Sequence, residues 1–164
     1  MSMKPFAYAS ATSIEEAVEA LTTPGGTTEC RPLAGGTDLV AMMKDGLVEP
    51  EKLVNLKTIP GLDGIALRSD GWHIGALTTL AALGAHPGWG AEDAMAGLVA
   101  AVEGAASPQL RHMATLGGNL VQRPRCWYFR NREIPCWRKG GRRCFAFRGE
   151  NKVHSIFGGG PCYA

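Results

Sequence analysis

The sequence predicts a mixed α and β fold, built as two small lobes joined near residue 60. Three observations predict it. Short apolar runs bounded by turn residues alternate with amphipathic stretches through the first 60 residues, as β-α-β fragments do. Asp70-Gly71 separates two further runs, Gly64–Arg68 and Trp72–Ala76, in the manner of a hairpin. A long helical pattern, Glu92–Ala106, then follows.

Met3 to Ala9 reads as a short edge strand, with Pro5 near its start. Ser13-Ile14-Glu15-Glu16 places a hydroxyl three residues before a carboxylate, the capping-box spacing that opens a helix. Ile14, Ala17, Val18 and Leu21 continue it at helical spacing, and Pro24-Gly25-Gly26 ends it. Cys30–Leu33 is a short extended run leading into Ala34-Gly35-Gly36-Thr37-Asp38, with a helical turn or two over Leu39–Lys44. Glu51–Leu56 reads as a strand, and Ile59-Pro60-Gly61-Leu62 as a turn between lobes. Thr78 or Thr79 can cap a short helix through Leu83. Met95, Leu98, Val99 and Val102 give the helix of residues 92–106 its apolar face, and Ser107-Pro108 ends it. Residues 119–122 start another strand or helix, and beyond Arg123-Pro124 the chain reads as irregular.

Composition narrows the class. The chain has 164 residues, 45% hydrophobic and 20% charged, ordinary for a globular protein. No apolar run resembles a signal peptide or approaches a membrane span, so synthesis and at least initial residence in the cytoplasm are expected. Charge is uneven. Residues 111–152 carry 11 Lys and Arg against 2 acids, and the remainder carries 6 against 13. Such a basic block suits nucleic acid, an anionic cofactor, or a negatively charged cluster and partner. The histidines, His73, His86, His112 and His154, are scattered, and no Ser/His/Asp set or supported carboxylate pair is present.

Two features carry chemistry. Gly35-Gly36 and Gly117-Gly118 each read as a tight turn or as a loop whose bare backbone N–H groups cradle a phosphate. The spacing of Gly-x-Gly-x-x-Gly is absent, which disfavours a Rossmann site. Separately, Cys126, Cys136, Cys144 and Cys162 crowd the last 39 residues at intervals of nine, seven and seventeen. These intervals fit neither a zinc ribbon nor a ferredoxin run. Four thiolates converging from a long loop still complete a metal or iron–sulfur site. Core thiols and two disulfides are the plainer readings, weakened by the surrounding arginines and by the absence of a signal peptide.

The ordered set Leu33-Ala-Gly-Gly-Thr-Asp-Leu39, Ile74-Gly-Ala76, Gln109-Leu-Arg111 and Ala114-Thr-Leu-Gly-Gly-Asn-Leu120 resembles the flavin subunit of the molybdenum hydroxylases, the xanthine and carbon monoxide dehydrogenase group. The resemblance implies an α+β, two-lobed FAD-binding fold of the vanillyl-alcohol oxidase type with its second lobe incomplete. It assigns residues 1–60 to the first lobe and 61–164 to the second, including an iron–sulfur loop, 122–164. It implies that Arg31-Pro32-Leu33-Ala34-Gly35-Gly36-Thr37-Asp38-Leu39 receives the FAD diphosphate, and that Thr115, Gly117, Gly118 and Asn119 lie against the flavin or its phosphates.

Cys126-Trp-Tyr-Phe with Pro135-Cys136 resembles the aldehyde oxidoreductase branch. That branch implies Cys126, Cys136, Cys144 and Cys162 as ligands of an additional 4Fe–4S cluster; Cys30 lies outside the loop and reads as a buried strand thiol. Arg123, Arg125, Arg130, Arg138, Arg142 and Arg143 are then available to offset cluster charge or to dock a partner. The implied function is electron transfer. A molybdenum-cofactor large subunit oxidises substrate, a 2Fe–2S small subunit relays electrons, and FAD held here passes them to an external acceptor. A heterotrimer is implied, without nucleic acid or membrane, and export with a partner would make it periplasmic. Family flavin subunits continue beyond this length, so weak or no FAD retention by residues 1–164 alone is expected. The alternative is a zinc-stabilised nucleic-acid-binding module using the basic, cysteine-rich segment.

Overall fold

The computed structural model describes residues 3–22, 29–91, 95–157 and 160–164. Contacts divide the chain into a larger unit, Pro5–Val40 with Pro50–Gln122, and a smaller one, Met1–Lys4 with Ala41–Glu49 and Arg123–Ala164.

The larger unit opens with three parallel strands, β1 (Ala7–Ser10), β2 (Cys30–Leu33) and β3 (Lys52–Asn55), in the order β1-β3-β2. Leu53 pairs with Tyr8 on one side and with Arg31 on the other. A strand flanked on both sides favours apolar residues at its centre. Leu53 and Val54 are accordingly at most 2% exposed, each contributing about 1.5–3 kcal/mol of burial. Asn55 is also buried, and its side chain accepts from the Lys57 N–H.

Helix α1 (Ile14–Leu21) begins at Ser13, whose hydroxyl accepts the Glu16 N–H at 3.1 Å. The Glu16 carboxylate reaches back one residue further than a standard box, accepting the N–H and hydroxyl of Thr12 at 2.7 and 2.8 Å. These bonds hold its pKa below the usual glutamate value, the Thr12 N–H contributing most. Ala17 of this helix packs with Ala11, Val54 and Ile59. Helix α2 (Leu39–Lys44) follows the first glycine loop, and its Met42 and Met43 are buried.

β4 (Ile65–Arg68) and β5 (Gly71–Ile74) form the expected antiparallel hairpin, with Ile65 opposite Ile74. Thr79, not Thr78, caps helix α3 (Leu80–Gly84), accepting the Ala82 N–H. Thr78 is buried and donates its hydroxyl to the Gly64 carbonyl. The long helical pattern appears as α4 (Ala96–Gly104), while residues 92–94 lie outside the described residues. Leu80, Leu83, Trp89, Val102 and Ala114 make this unit's second core.

Two expectations are corrected here. The helix expected to run to Ser107-Pro108 ends at Gly104, with Ala105 extended behind it, and Ser107-Pro108 instead opens α5 (Pro108–Arg111), where the Ser107 hydroxyl accepts the Leu110 N–H. The second glycine pair is not a bare turn. It lies inside α6 (Leu116–Leu120), capped by Thr115.

In the smaller unit the irregular segment contains one turn of helix, α7 (Trp127–Arg130), and two 3-10 turns, Trp137–Lys139 and Phe145–Phe147. Phe129 and Ala146 are buried. Glu49 lies between Lys4 and Arg132, and its hydrogen bond from Lys4, ahead of the two positive charges, holds its pKa down. Among the described residues no helix is long and apolar enough to cross a membrane.

Candidate functional site

The first glycine loop leaves the end of β2. The Leu33 carbonyl accepts the Leu56 N–H at 3.0 Å, and the Ala34 carbonyl accepts the Lys57 ammonium at 3.0 Å. Gly36 then takes φ +75°, where a side chain is disfavoured, and its carbonyl accepts the Val40 N–H to start α2. Between these anchors the N–H groups of Gly35, Gly36 and Thr37 find no acceptor among the described residues. Successive N–H groups without a protein acceptor in a half-buried loop are donors available to an anion. Arg31 is held by Glu29, donating Nε at 2.8 Å and Nη2 to the same carboxylate oxygen. Pro32 is exposed, whereas Leu33, Ala34, Asp38 and Leu39 are half-buried.

The second loop spends its donors internally. Leu116 N–H goes to Thr78, Gly117 N–H to Ala76, Gly118 N–H to the Thr115 hydroxyl and Asn119 N–H to the Thr115 carbonyl, at 2.8–3.2 Å. A β-carbon on Gly117 would stand 2.9 Å from the Ala76 carbonyl, so glycine is required for that approach. Thr115 is buried. Asn119 is half-buried and shows no side-chain partner among the described residues. The two loops adjoin. A β-carbon on Gly35 would collide with the carbonyl of Met113, two residues before Thr115.

The smaller unit brings Cys126, Cys136, Cys144 and Cys162 to one pocket, with Tyr128, Trp137, Arg138 and Phe145 also lining it. Cys126 immediately precedes α7, Cys136 precedes Trp137–Lys139, and Cys144 precedes Phe145–Phe147. A short turn thus begins at each of three thiols, and the N–H groups opening a helical turn favour a neighbouring negative charge. Cys136 is buried, and its backbone pairs with that of Arg143. Arg138 donates Nε to the Cys162 sulfur at 3.0 Å. Burial raises the Cys162 pKa, but bonds from the Ala164 backbone, Arg138 and Cys144 outweigh it, and the net shift is downward. All five cysteines are free thiols. Cys30 sits in β2, only partly buried rather than buried. Among the described residues no three His, Cys, Asp or Glu side chains lie close enough to hold a single metal ion.

Of the four scattered histidines, His154 lies in the smaller unit. It packs edge-on to Trp127 with ring centroids 4.9 Å apart, and both its ring nitrogens are buried without a partner among the described residues. Nothing in a lone histidine of a glycine-rich stretch announces that environment. His73 pairs with Asp70 at the hairpin, and His86 packs between Trp72 and Trp89.

Comparison with known proteins decides the family. The family described as the FAD binding domain in molybdopterin dehydrogenase matches residues 4–126, which take in both glycine loops. The chain belongs to this family. The chain is 36% identical over 159 residues to the aldehyde oxidoreductase FAD-binding subunit PaoB of Escherichia coli (strain K12), covering 95% of this chain and 48% of that one. It is 41% identical over 119 residues to the carbon monoxide dehydrogenase medium chain of Afipia carboxidovorans, covering 71% of this chain and 39% of that one. Its fold superposes on carbon monoxide dehydrogenase from Hydrogenophaga pseudoflava with a TM-score of 0.66 and 34% identity, over 73% of this chain and 40% of that one. The chain therefore spans about half the length or less of these relatives. The E. coli alignment runs into the cysteine segment, where the family match has stopped. The zinc-module alternative gains no support from these likenesses, which are to flavin subunits of oxidoreductases.

Proposed function

We propose that this chain is the FAD-binding, electron-transfer part of a molybdenum-containing aldehyde or xanthine-type dehydrogenase. The observation that carries the reading is the family match across both glycine loops, together with three undirected N–H groups in the first. The residues present fit an FAD diphosphate. Gly35, Gly36 and Thr37 supply donors, the Lys57 ammonium and the Leu56 N–H hold the loop's entry, and Gly35 lets it lie on the Met113–Ala114 backbone. In the second loop the donors are already spent, so Asn119 meets the flavin side through its amide, and Thr115 acts by capping α6. Arg31 acts through Glu29 rather than as a bare charge. The lobes take the vanillyl-alcohol oxidase arrangement, with the boundary near residue 60.

Bound FAD supplies reversible electron exchange, and the protein supplies position and electrostatics. The partners are a molybdenum-cofactor subunit, which oxidises the substrate, and a 2Fe–2S subunit, which delivers electrons. Cys126, Cys136, Cys144 and Cys162 are the ligands of a further 4Fe–4S cluster. Four soft thiols line one pocket, the donor type that an iron–sulfur cluster takes. The coverage of this segment by the aldehyde oxidoreductase relative supports that branch.

Expression of the tagged chain with its genomic neighbours tests the reading. A complex containing molybdenum, iron and flavin is expected. A colourless zinc protein with salt-sensitive nucleic-acid binding would refute it.

A further inference from the structure

We propose that Arg138 is a positioning residue that sets the reduction potential of the cysteine pocket's iron–sulfur cluster through its hydrogen bond to Cys162. The inference rests on the reading of the four cysteines as cluster ligands. One short element makes the connection. Cys136 opens the turn Trp137–Lys139, and Arg138 projects from that turn to a sulfur 24 residues later in sequence. Both Arg138 and Cys162 line the pocket. A charged N–H donor aimed at a ligand sulfur favours the more negative, reduced state over the oxidised one. It therefore raises the potential for a one-electron reduction, with no proton taken up.

The geometry also separates tuning from assembly. The chain around Cys162 is tied down independently of Arg138. Tyr163 stacks on Phe147 with centroids 5.0 Å apart, and its carbonyl accepts the Ser155 N–H at 3.0 Å. Removing the guanidinium should leave the fourth ligand in place and change only what its sulfur receives.

The test uses the full chain, reconstituted anaerobically with iron and sulfide, with iron and sulfide assays and a redox titration followed by electron paramagnetic resonance. Arg138→Gln is expected to keep wild-type iron and sulfide and to shift the midpoint to more negative potential. At a fixed potential the reduced-to-oxidised ratio should fall about tenfold, about 59 mV for one electron. Arg138→Lys, which keeps charge but loses the planar fork, should fall between. Arg132→Gln removes a charge paired with Glu49 on the same unit and should leave the midpoint unchanged. An unchanged midpoint in a fully loaded Arg138→Gln protein overturns the inference, as does loss of iron in both Arg138 variants, which would make the residue a structural prop. Failure of the wild-type chain to take up iron and sulfide would instead overturn the cluster reading itself.

Discussion

Gly35 lies against the main-chain carbonyl of Met113 with no room between them for a β-carbon. This is the contact that seats the first glycine loop on the segment leading into the second. The obstacle is backbone, which cannot swing aside as a side chain would. Gly35→Ala is therefore expected to cost at least the 1–3 kcal/mol typical of overpacking, read as a lower denaturant midpoint. Gly36→Ala meets only the ends of Val40 and Leu33, and should cost about 1–2 kcal/mol for its positive φ. Equal, negligible effects at both positions would show that the loops do not meet as described.

The cap of α1 gives a second prediction. Ser13→Ala removes the acceptor for the Glu16 N–H and should destabilise by about 1 kcal/mol, measured by urea unfolding. The same cap makes stability depend on pH. Glu16 has a folded pKa below its unfolded one, so its contribution is present above the unfolded value and lost as pH falls through the folded value. In Glu16→Gln the fall in stability on acidification below the ordinary glutamate range should be smaller than in the wild type.

His154 offers a test in the opposite direction. A neutral imidazole carries one donor and one acceptor, and both are buried without partners among the described residues. Each unmet group costs about 1–3 kcal/mol, whereas an apolar ring of similar shape carries no such penalty. His154→Phe should keep the packing on Trp127 and leave the unfolding midpoint unchanged or raised. A clear drop would mean that the imidazole has a polar partner in solution.

Cys136 is the buried member of the thiol set and opens the turn that carries Arg138. Cys136→Ser substitutes a hard hydroxyl for a soft ligand. Iron bound after anaerobic reconstitution should fall by most of the wild-type content. Wild-type iron content in the variant would remove Cys136 from the ligand set.

Much of the fold was legible in the sequence where the signal is local. Ser13 with Glu16 marked a helix start, Asp70-Gly71 a hairpin, and the run Glu51–Leu56 a strand. Helices α5, α6 and α7 were not legible as helices, because at four or five residues they are too brief to show a period, whereas the equally short α3 was marked by its capping threonine. Gly117-Gly118 read as a turn because glycine lowers helix propensity, and only the pairing with Ala76 and Thr78 reveals why glycine sits in a helix there. At the candidate site the glycine loops were found from their residue types and order. The adjacency of Gly35 to Met113, the internal use of the α6 donors and the reach of Arg138 to Cys162 join residues distant in sequence, and no spacing rule encodes them.

The central claim is that the first glycine loop takes a flavin diphosphate, and equilibrium titration of the purified chain with FAD, followed by quenching of flavin fluorescence, tests it most directly. The account predicts saturable one-to-one binding, weak enough to be lost on gel filtration, competed by ADP and reduced by Gly36→Ala. Absence of saturable binding, or binding that neither ADP nor Gly36→Ala alters, would contradict it.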